Sequence, residues 1–210
     1  MKRLVIVGAG GYGREMYFAA KRALGYGTEW EIAGFLDDNL AALDAYKNYP
    51  PILGKVEEYE IAADDVFITA LGSLKSRRAC VEALEKRGAK FISIIDRDAF
   101  IGGDVKIGDG VFIAHGAVLT AAISIGNHSC IFHNTTVGHD TQIGEFSHIY
   151  AQCAIGGNVH IGSGTSIYPG ATIVPRRNIG DNAVVGINSS VIVDVLPGTT
   201  VFGSPAMELK

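Results

Sequence analysis

Two histidines nine residues apart, His139 and His148, stand in the segment VGHDTQIGEFSH, and a carboxylate, Asp140, follows the first. An imidazole titrates near neutral pH, so it can take a proton from an attacking nucleophile as a bond forms. A second set opens the chain, where Gly8, Gly10 and Gly13 space out as G-x-G-x-x-G within VIVGAGGYGRE. Glycines placed between a strand and a helix let backbone N–H groups approach phosphate oxygens at the helix N-terminus. Asp37 and Asp38 close the next apolar run, EIAGFLDDN, where a carboxylate can accept hydrogen bonds from a ribose or a base.

These residues lie in two halves with different periods. From Ile101 to Val191 every sixth residue is aliphatic, sixteen times out of sixteen with no insertion. Helical periodicity cannot produce this, whereas a solenoid of short strands does. The residue after the aliphatic is glycine in nine of the sixteen hexads, which reads as the position where the chain turns. The fifth position is small or β-branched, as at Val105, Ala117, Ser129 and Thr141, and fits beside the interior aliphatic. The first ninety or so residues alternate instead: RLVIV, EIAGFLDDN and DDVFITALGS read as strands, and REMYFAAKRAL and LKSRRACVEALEKRG as helices, the second closed by Gly88. KFISII reads as a further strand leading into the coils. Strands alternating with helices imply a small parallel α/β domain over residues 1–94, followed by the coils over 95–210, with DRDAF breaking the pattern between them.

Composition narrows the classes. A net charge of −4 gives no general attraction to nucleic acid or an anionic membrane surface. No stretch approaches the roughly 18 apolar residues of a membrane span, and the apolar run after Met1 is too short for a signal peptide. Cys80, Cys130 and Cys153 form no CxxC pair and no disulfide framework, so a reducing cytoplasm is the simplest location. A whole dinucleotide needs a sheet of two halves, and the N-terminal part supplies one. A nucleotide carrying a single sugar fits it better.

The six-residue period resembles the hexapeptide-repeat acyltransferases, and the tail VFGSPAMELK looks like their Gly-x-Pro-Ala ending. Together, VIVGAGGYGRE…GFLDDN, GHD…IGEFSH, GGNVHIG and that tail resemble the bacterial sugar-nucleotide acetyltransferases. That group includes the bacillosamine-pathway and perosamine N-acetyltransferases and the sialic-acid O-acetyltransferases. The resemblance implies a Rossmann-like N-terminal domain followed by a left-handed parallel β-helix of three-sided, 18-residue coils. It implies that Gly8, Gly10, Gly11, Tyr12 and Gly13 cradle the diphosphate of a sugar nucleotide, that Asp37 or Asp38 meets the nucleoside, and that Gly72 and Ser73 of ALGS close the pocket. Acetyl-CoA is the implied co-substrate, without a metal. His139 matches the family's base, Asp140 its orienting carboxylate, and His148 the histidine at the acetyl-CoA thioester. The Gly157 N–H, in the family's GN-V segment, is the implied oxyanion donor. The implied activity is N-acetylation of a nucleotide-linked amino-deoxysugar for glycan or lipopolysaccharide synthesis. The implied assembly is a homotrimer with its active sites between subunits.

Coil arithmetic adds geometry to the resemblance. Residue n lies above n+18 at about 4.8 Å, so the ladder through His139 reads Ala121, His139, Gly157 and leaves a slot on the outer wall. Nine residues make half a coil, which puts His139 and His148 on different sides, on the order of 15 Å apart. One acetyl group cannot touch both within one subunit, so either one histidine has another role or the site is shared between subunits, and the resemblance to trimeric enzymes favours the shared site. Three other functions stay open: O-acetylation of a sugar such as sialic acid, a nucleotide-binding scaffold, and a zinc lyase using His115, His128 and His133. Arg176 and Arg177 are candidates for coenzyme phosphates, although Arg177 takes a normally inward fifth position and so marks a local bend. Cys153 is expected in the core.

Overall fold

Four short apolar runs make the first sheet. The computed structural model describes Met1–Leu209, and the chain separates into two units, Met1–Asp96 and the coils from Arg97 onward. In the first unit, β1 (Lys2–Val7), β2 (Trp30–Leu36), β3 (Ile52–Gly54) and β4 (Asp65–Thr69) pair in parallel in the order β3-β2-β1-β4. Leu4, Val5, Ile6 and Val7 are fully buried, as expected for a parallel strand covered on both faces. Helix α1 (Gly11–Arg22) buries Gly13, Met16 and Ala20, one face at helical spacing. Helix α2 (Leu74–Glu85) starts at Ser73, whose side chain accepts the Ser76 N–H at 3.3 Å. The chain runs from β1 to β2 on one side, while β4 lies on the other. The order therefore reverses between β1 and β4, the switch point beyond whose carboxyl ends sheets of this kind bind ligands.

The sequence pattern misses β3, which lies directly after Pro50–Pro51 and pairs only with β2. KFISII is shorter than expected. Phe91 makes a single parallel bridge to Phe67, and only Ile94–Ile95 (β5) is strand.

The second unit is a left-handed parallel β-helix. From Phe100 to Val191 its strands are two residues long and stack at a spacing of 18: Ser124 pairs with Lys106 and Gln142, Cys130 with Phe112 and His148, and Thr136 with Val118 and Ala154. Three faces result. The first carries Thr136–Val137, the second Gln142–Ile143 and the third His148–Ile149, and the repeated aliphatics of these strands are buried.

The turns differ from the sequence expectation. The left-handed backbone conformation falls at the fourth hexad position, in three columns of 18-residue spacing. One column is Asp104, Ala122, Asp140, Asn158 and Arg176, with φ between 52° and 62°. Asn, Asp and Gly recur at this position because they tolerate that conformation best. The glycine of the second position has a different role. A Cβ on Gly138 would lie 2.6 Å from the Gly157 nitrogen, and one on Gly156 2.6 Å from the Pro175 nitrogen. This glycine lets successive coils approach rather than letting the chain turn.

Hydroxyls at the fifth position join coils inside the prism. Ser147 Oγ donates to the Gly162 carbonyl at 2.8 Å and accepts the Thr165 N–H at 3.2 Å. Buried polar groups are satisfied in this way without breaking the stack. Near the C-terminus the register shortens, since Val184 pairs with Thr200, sixteen residues on. Arg177 does not point inward there. Its Nη1 lies 3.5 Å from Asp194, whose carboxyl is held below its ordinary pKa mainly by hydrogen bonds from Asn178 and further by Arg177.

Candidate functional site

The corner between the first and second faces carries His139 and Asp140. Asp140 adopts φ 59°, which turns its carboxylate back toward the preceding residue, and Oδ2 lies 2.7 Å from His139 Nδ1. Both side chains are open to solvent, at 63% and 54% exposure, so the pair is on the outer wall and not in the core. A carboxylate accepting at Nδ1 keeps that nitrogen protonated and leaves Nε2 as the basic one.

The ladder places Gly157 directly beneath the ring. The Asn158 N–H donates to the His139 carbonyl at 2.7 Å, and the Asp140 N–H donates to the Ala121 carbonyl at 3.0 Å. A Cβ on Gly157 would lie 2.8 Å from His139 Nε2 and 2.9 Å from Cε1. The ring therefore rests on the glycine. Thr141, fully buried next to Asp140, is a residue that sequence reasoning passed over as merely small. Its hydroxyl donates to the Gly156 carbonyl at 3.1 Å and accepts the Val159 N–H at 3.3 Å, bracketing Gly157. A threonine at the fifth position immediately after the histidine–aspartate pair was the available signal.

His148 lies on the third face, away from the His139 corner. Its side chain is buried within the chain, at 3% exposure, against the rings of Phe132 and Tyr150, each 5.6 Å away. Phe132, Tyr150 and Tyr168 form a column of near-parallel rings at 5.0–5.2 Å beside it. The three histidines of the zinc alternative do not gather at one corner. His115 and His133 belong to one ladder and His115 pairs with Asp98 at 3.6 Å, while buried His128 stacks on Phe146 at 4.9 Å at a different corner.

In the first unit, the glycine loop follows the carboxyl end of β1. Gly8 has φ 103° and donates its N–H to Leu36 at 2.7 Å, and a Cβ on Gly13 would fall on the Gly8 carbonyl oxygen. Gly10 and Gly11 differ, for a Cβ on either meets nothing within 4 Å. Their backbone at the start of α1 is thus open to an incoming group, as is that of Gly72 before α2. Tyr12 is half-buried in the first turn of α1. Asp37 is engaged by the loop, accepting the Ala9 N–H at 2.7 Å and the Asn39 N–H at 2.9 Å, whereas Asp38 is exposed. Arg14 stacks on Tyr46 with its guanidinium 3.9 Å from the ring centroid.

Residues 3–84 match the PglD N-terminal domain, and residues 88–192, half of the chain, match the GMPPB C-terminal domain. The chain belongs to the GMPPB C-terminal domain family through its coils. Among solved structures, this family member is similar to a histidine-to-alanine mutant of GDP-perosamine N-acetyl transferase from Caulobacter crescentus, in complex with CoA and GDP-perosamine. The TM-score is 0.88 at 22% identity, over 100% of this chain and 98% of that one. WeeI from Acinetobacter baumannii aligns at TM-score 0.73 and 22% identity over the whole of both chains. The acetyltransferase domain of PglB from Neisseria gonorrhoeae aligns at 0.72 and 26%, also over both whole chains. No curated protein matches. Among the described residues, no helix is long and apolar enough to cross a membrane.

Proposed function

We propose that the protein transfers acetyl from acetyl-CoA to the amino group of a nucleotide-linked amino-deoxysugar, with His139 as general base. The observation that carries this reading is the His139–Asp140 pair, with the ring laid over Gly157. The amine nitrogen attacks the thioester carbonyl carbon and gives a proton to Nε2. The carbonyl oxygen gathers negative charge beside the Gly157 N–H, and the imidazolium returns the proton to the departing thiolate as the C–S bond breaks. Transfer is direct, and two substrates held in place supply the proximity. Asp140 orients the ring through its contact to Nδ1.

The glycine loop suits the nucleotide. The open backbone at Gly10, Gly11 and Gly72 stands at the starts of two helices, where a diphosphate is favoured. Gly8 and Gly13 hold the turn and Tyr12 flanks it, while Ser73 caps α2. Asp37 braces the loop, and exposed Asp38 is the carboxylate for the nucleoside. Solved relatives crystallise with CoA, acetyl-CoA and GDP-perosamine, which supports both substrates. His139 and His148 lie on different faces, and His148 is buried against Phe132 and Tyr150. His148 therefore serves packing. The thioester is met at the His139 corner, in a homotrimer whose neighbouring subunit completes the site.

A thiol-release assay with acetyl-CoA and a panel of UDP-, GDP-, CDP- and dTDP-linked amino sugars tests the reading. One acceptor should turn over. His139→Ala should lower kcat by about 10²–10⁴-fold while acetyl-CoA still binds. Undiminished turnover in that variant would reject the base.

A further inference from the structure

Hydroxyls inside the prism repeat one bond. Ser129, Thr135, Thr141 and Ser147 each donate to the carbonyl fifteen residues on, at 2.6–3.1 Å. That carbonyl belongs to a second hexad position, so its peptide carries the N–H of the third. A trans peptide points its N–H away from its C=O, and a carbonyl held inward therefore sends the N–H toward the outer wall. Ser147 shows both ends of such a unit. Its Oγ holds the Gly162 carbonyl, and the Ser163 N–H of the same peptide donates to exposed Asp181 at 2.7 Å. Asp181 stands one coil beyond Ser163, and Asn127 caps the Asp109 N–H in the same way at 2.9 Å. Thr141 holds the Gly156 carbonyl at 3.1 Å, and the N–H of that peptide is that of Gly157. One coil beyond Gly157 stands Pro175, whose side chain has no acceptor atom. Among the described residues, nothing accepts the Gly157 N–H.

We infer that Thr141 and Pro175 are positioning residues for the oxyanion donor: Thr141 aims and polarises the Gly156–Gly157 peptide from inside, and Pro175 leaves its N–H uncapped outside. This rests on the acetyl-transfer reading above and deepens it. In the Ser163 unit a carboxylate oxygen of Asp181 occupies the place in front of the N–H. At Gly157 the corresponding place, next to the His139 ring, is left to the thioester oxygen as it gathers charge. Hydrogen bonds in series strengthen one another, so the hydroxyl on the Gly156 carbonyl makes the Gly157 N–H a stronger donor. The N–H keeps its proton throughout. Its help grows with the charge on the oxygen, so it acts on the transition state more than on either bound substrate.

Four variants test this in the thiol-release assay, with the acceptor that wild type uses best. Thr141→Val keeps the shape and removes the hydroxyl. Its kcat should fall about tenfold or more, with KM for both substrates within about twofold of wild type. Thr141→Ser should recover most of that loss, since serine makes the same bond at positions 129 and 147. Thr165→Val removes the matching bond to the Gly180 carbonyl, 3.2 Å long, at another corner. It should lower the unfolding temperature as Thr141→Val does and leave kcat within about twofold. Pro175→Asn gives Gly157 the cap that Asn127 gives Asp109, and should lower kcat about tenfold with the unfolding temperature unchanged. An equal loss of kcat in Thr165→Val would make the hydroxyls supports of the coil alone and overturn the inference. Full activity in Thr141→Val or in Pro175→Asn would overturn it too, and should Thr141→Val not fold, Pro175→Asn decides. Wild type acetylating no amino-sugar nucleotide would instead take down the acetyl-transfer reading, and the positioning roles with it.

Discussion

At the end of β1 the groups on offer are backbone N–H groups, while at the His139 corner they are side chains, and the two regions use glycine for opposite ends. In the first unit Gly13 is needed because the Gly8 carbonyl occupies the space of a side chain, while Gly10 and Gly11 keep open space in front of the backbone. In the solenoid Gly157 is the floor on which an imidazole rests. A turn that binds through its backbone must be held by its own packing. A side chain on a β-helix is held by the coils above and below it, so its neighbours are known once the period is known.

The largest expected effect separates the two glycine roles within one loop. Gly13→Ala drives a methyl onto the Gly8 oxygen, with backbone on both sides and no flexible group to give way. The first unit should lose about 3 kcal/mol or more and unfold at a lower temperature than the coils. Gly10→Ala has open space and φ −70°, so thermal unfolding should be nearly unchanged. Nucleotide affinity should nevertheless fall about tenfold, because the methyl stands where the diphosphate approaches. Calorimetry with a nucleotide titration reads both. Equal unfolding temperatures for the two variants would show that Gly13 and Gly10 do the same thing.

Gly157→Ala probes the corresponding floor in the coils. Its φ is not left-handed, so the backbone accepts alanine, and the three atoms nearest the new methyl all belong to the His139 ring. The ring should tilt off the glycine and kcat should drop by up to about 10²-fold, the scale of an ångström-sized misplacement. Circular dichroism should match wild type. A kcat within twofold of wild type would mean that the ring's seat on Gly157 does not matter to the chemistry.

The two regions also differ in how much of them is legible in the chain. The hexad period places His139 over Gly157, puts His148 on another face and buries Cys153, because a solenoid contact is a matter of counting. Counting stops where the register changes, so the sixteen-residue step from Val184 to Thr200 is not visible in it, although an arginine at the normally inward position 177 marks the bend at which it pairs with Asp194. Nor does the period say which residue of the hexad turns. Glycine marks the second position while the left-handed conformation sits at the fourth, often on Asn or Asp. In the first unit, strand β3 carries only three half-buried residues and follows two prolines, so nothing local announces it. Asp37 presents the same difficulty in the loop. Its carboxylate faces Ala9 from 28 residues away, and only the folded sheet brings the two together.

The smallest effect contrasts the two regions through their thiols. Cys80 is half-buried on α2, and Cys153 is fully inside the prism, where its Sγ donates to the Tyr168 carbonyl at 3.2 Å. Burial pushes the Cys153 thiol from 9.0 up to about 11, outweighing the hydrogen bonds that favour the thiolate. In the unfolded chain the same thiol ionises near its ordinary value, so the folded state binds the extra proton between about pH 9 and 11. The stabilisation is complete below pH 9 and is lost as the pH rises toward 11, by an amount on the order of 2 kcal/mol. Denaturant unfolding at pH 8 and pH 10.5 should show the coils weakening in wild type, with less weakening in Cys153→Ala. At pH 8 a thiol reagent should label Cys80 well before Cys153. Equal labelling rates would mean that the coils open as readily as the surface of α2, and the rigid support claimed for His139 would fail with them.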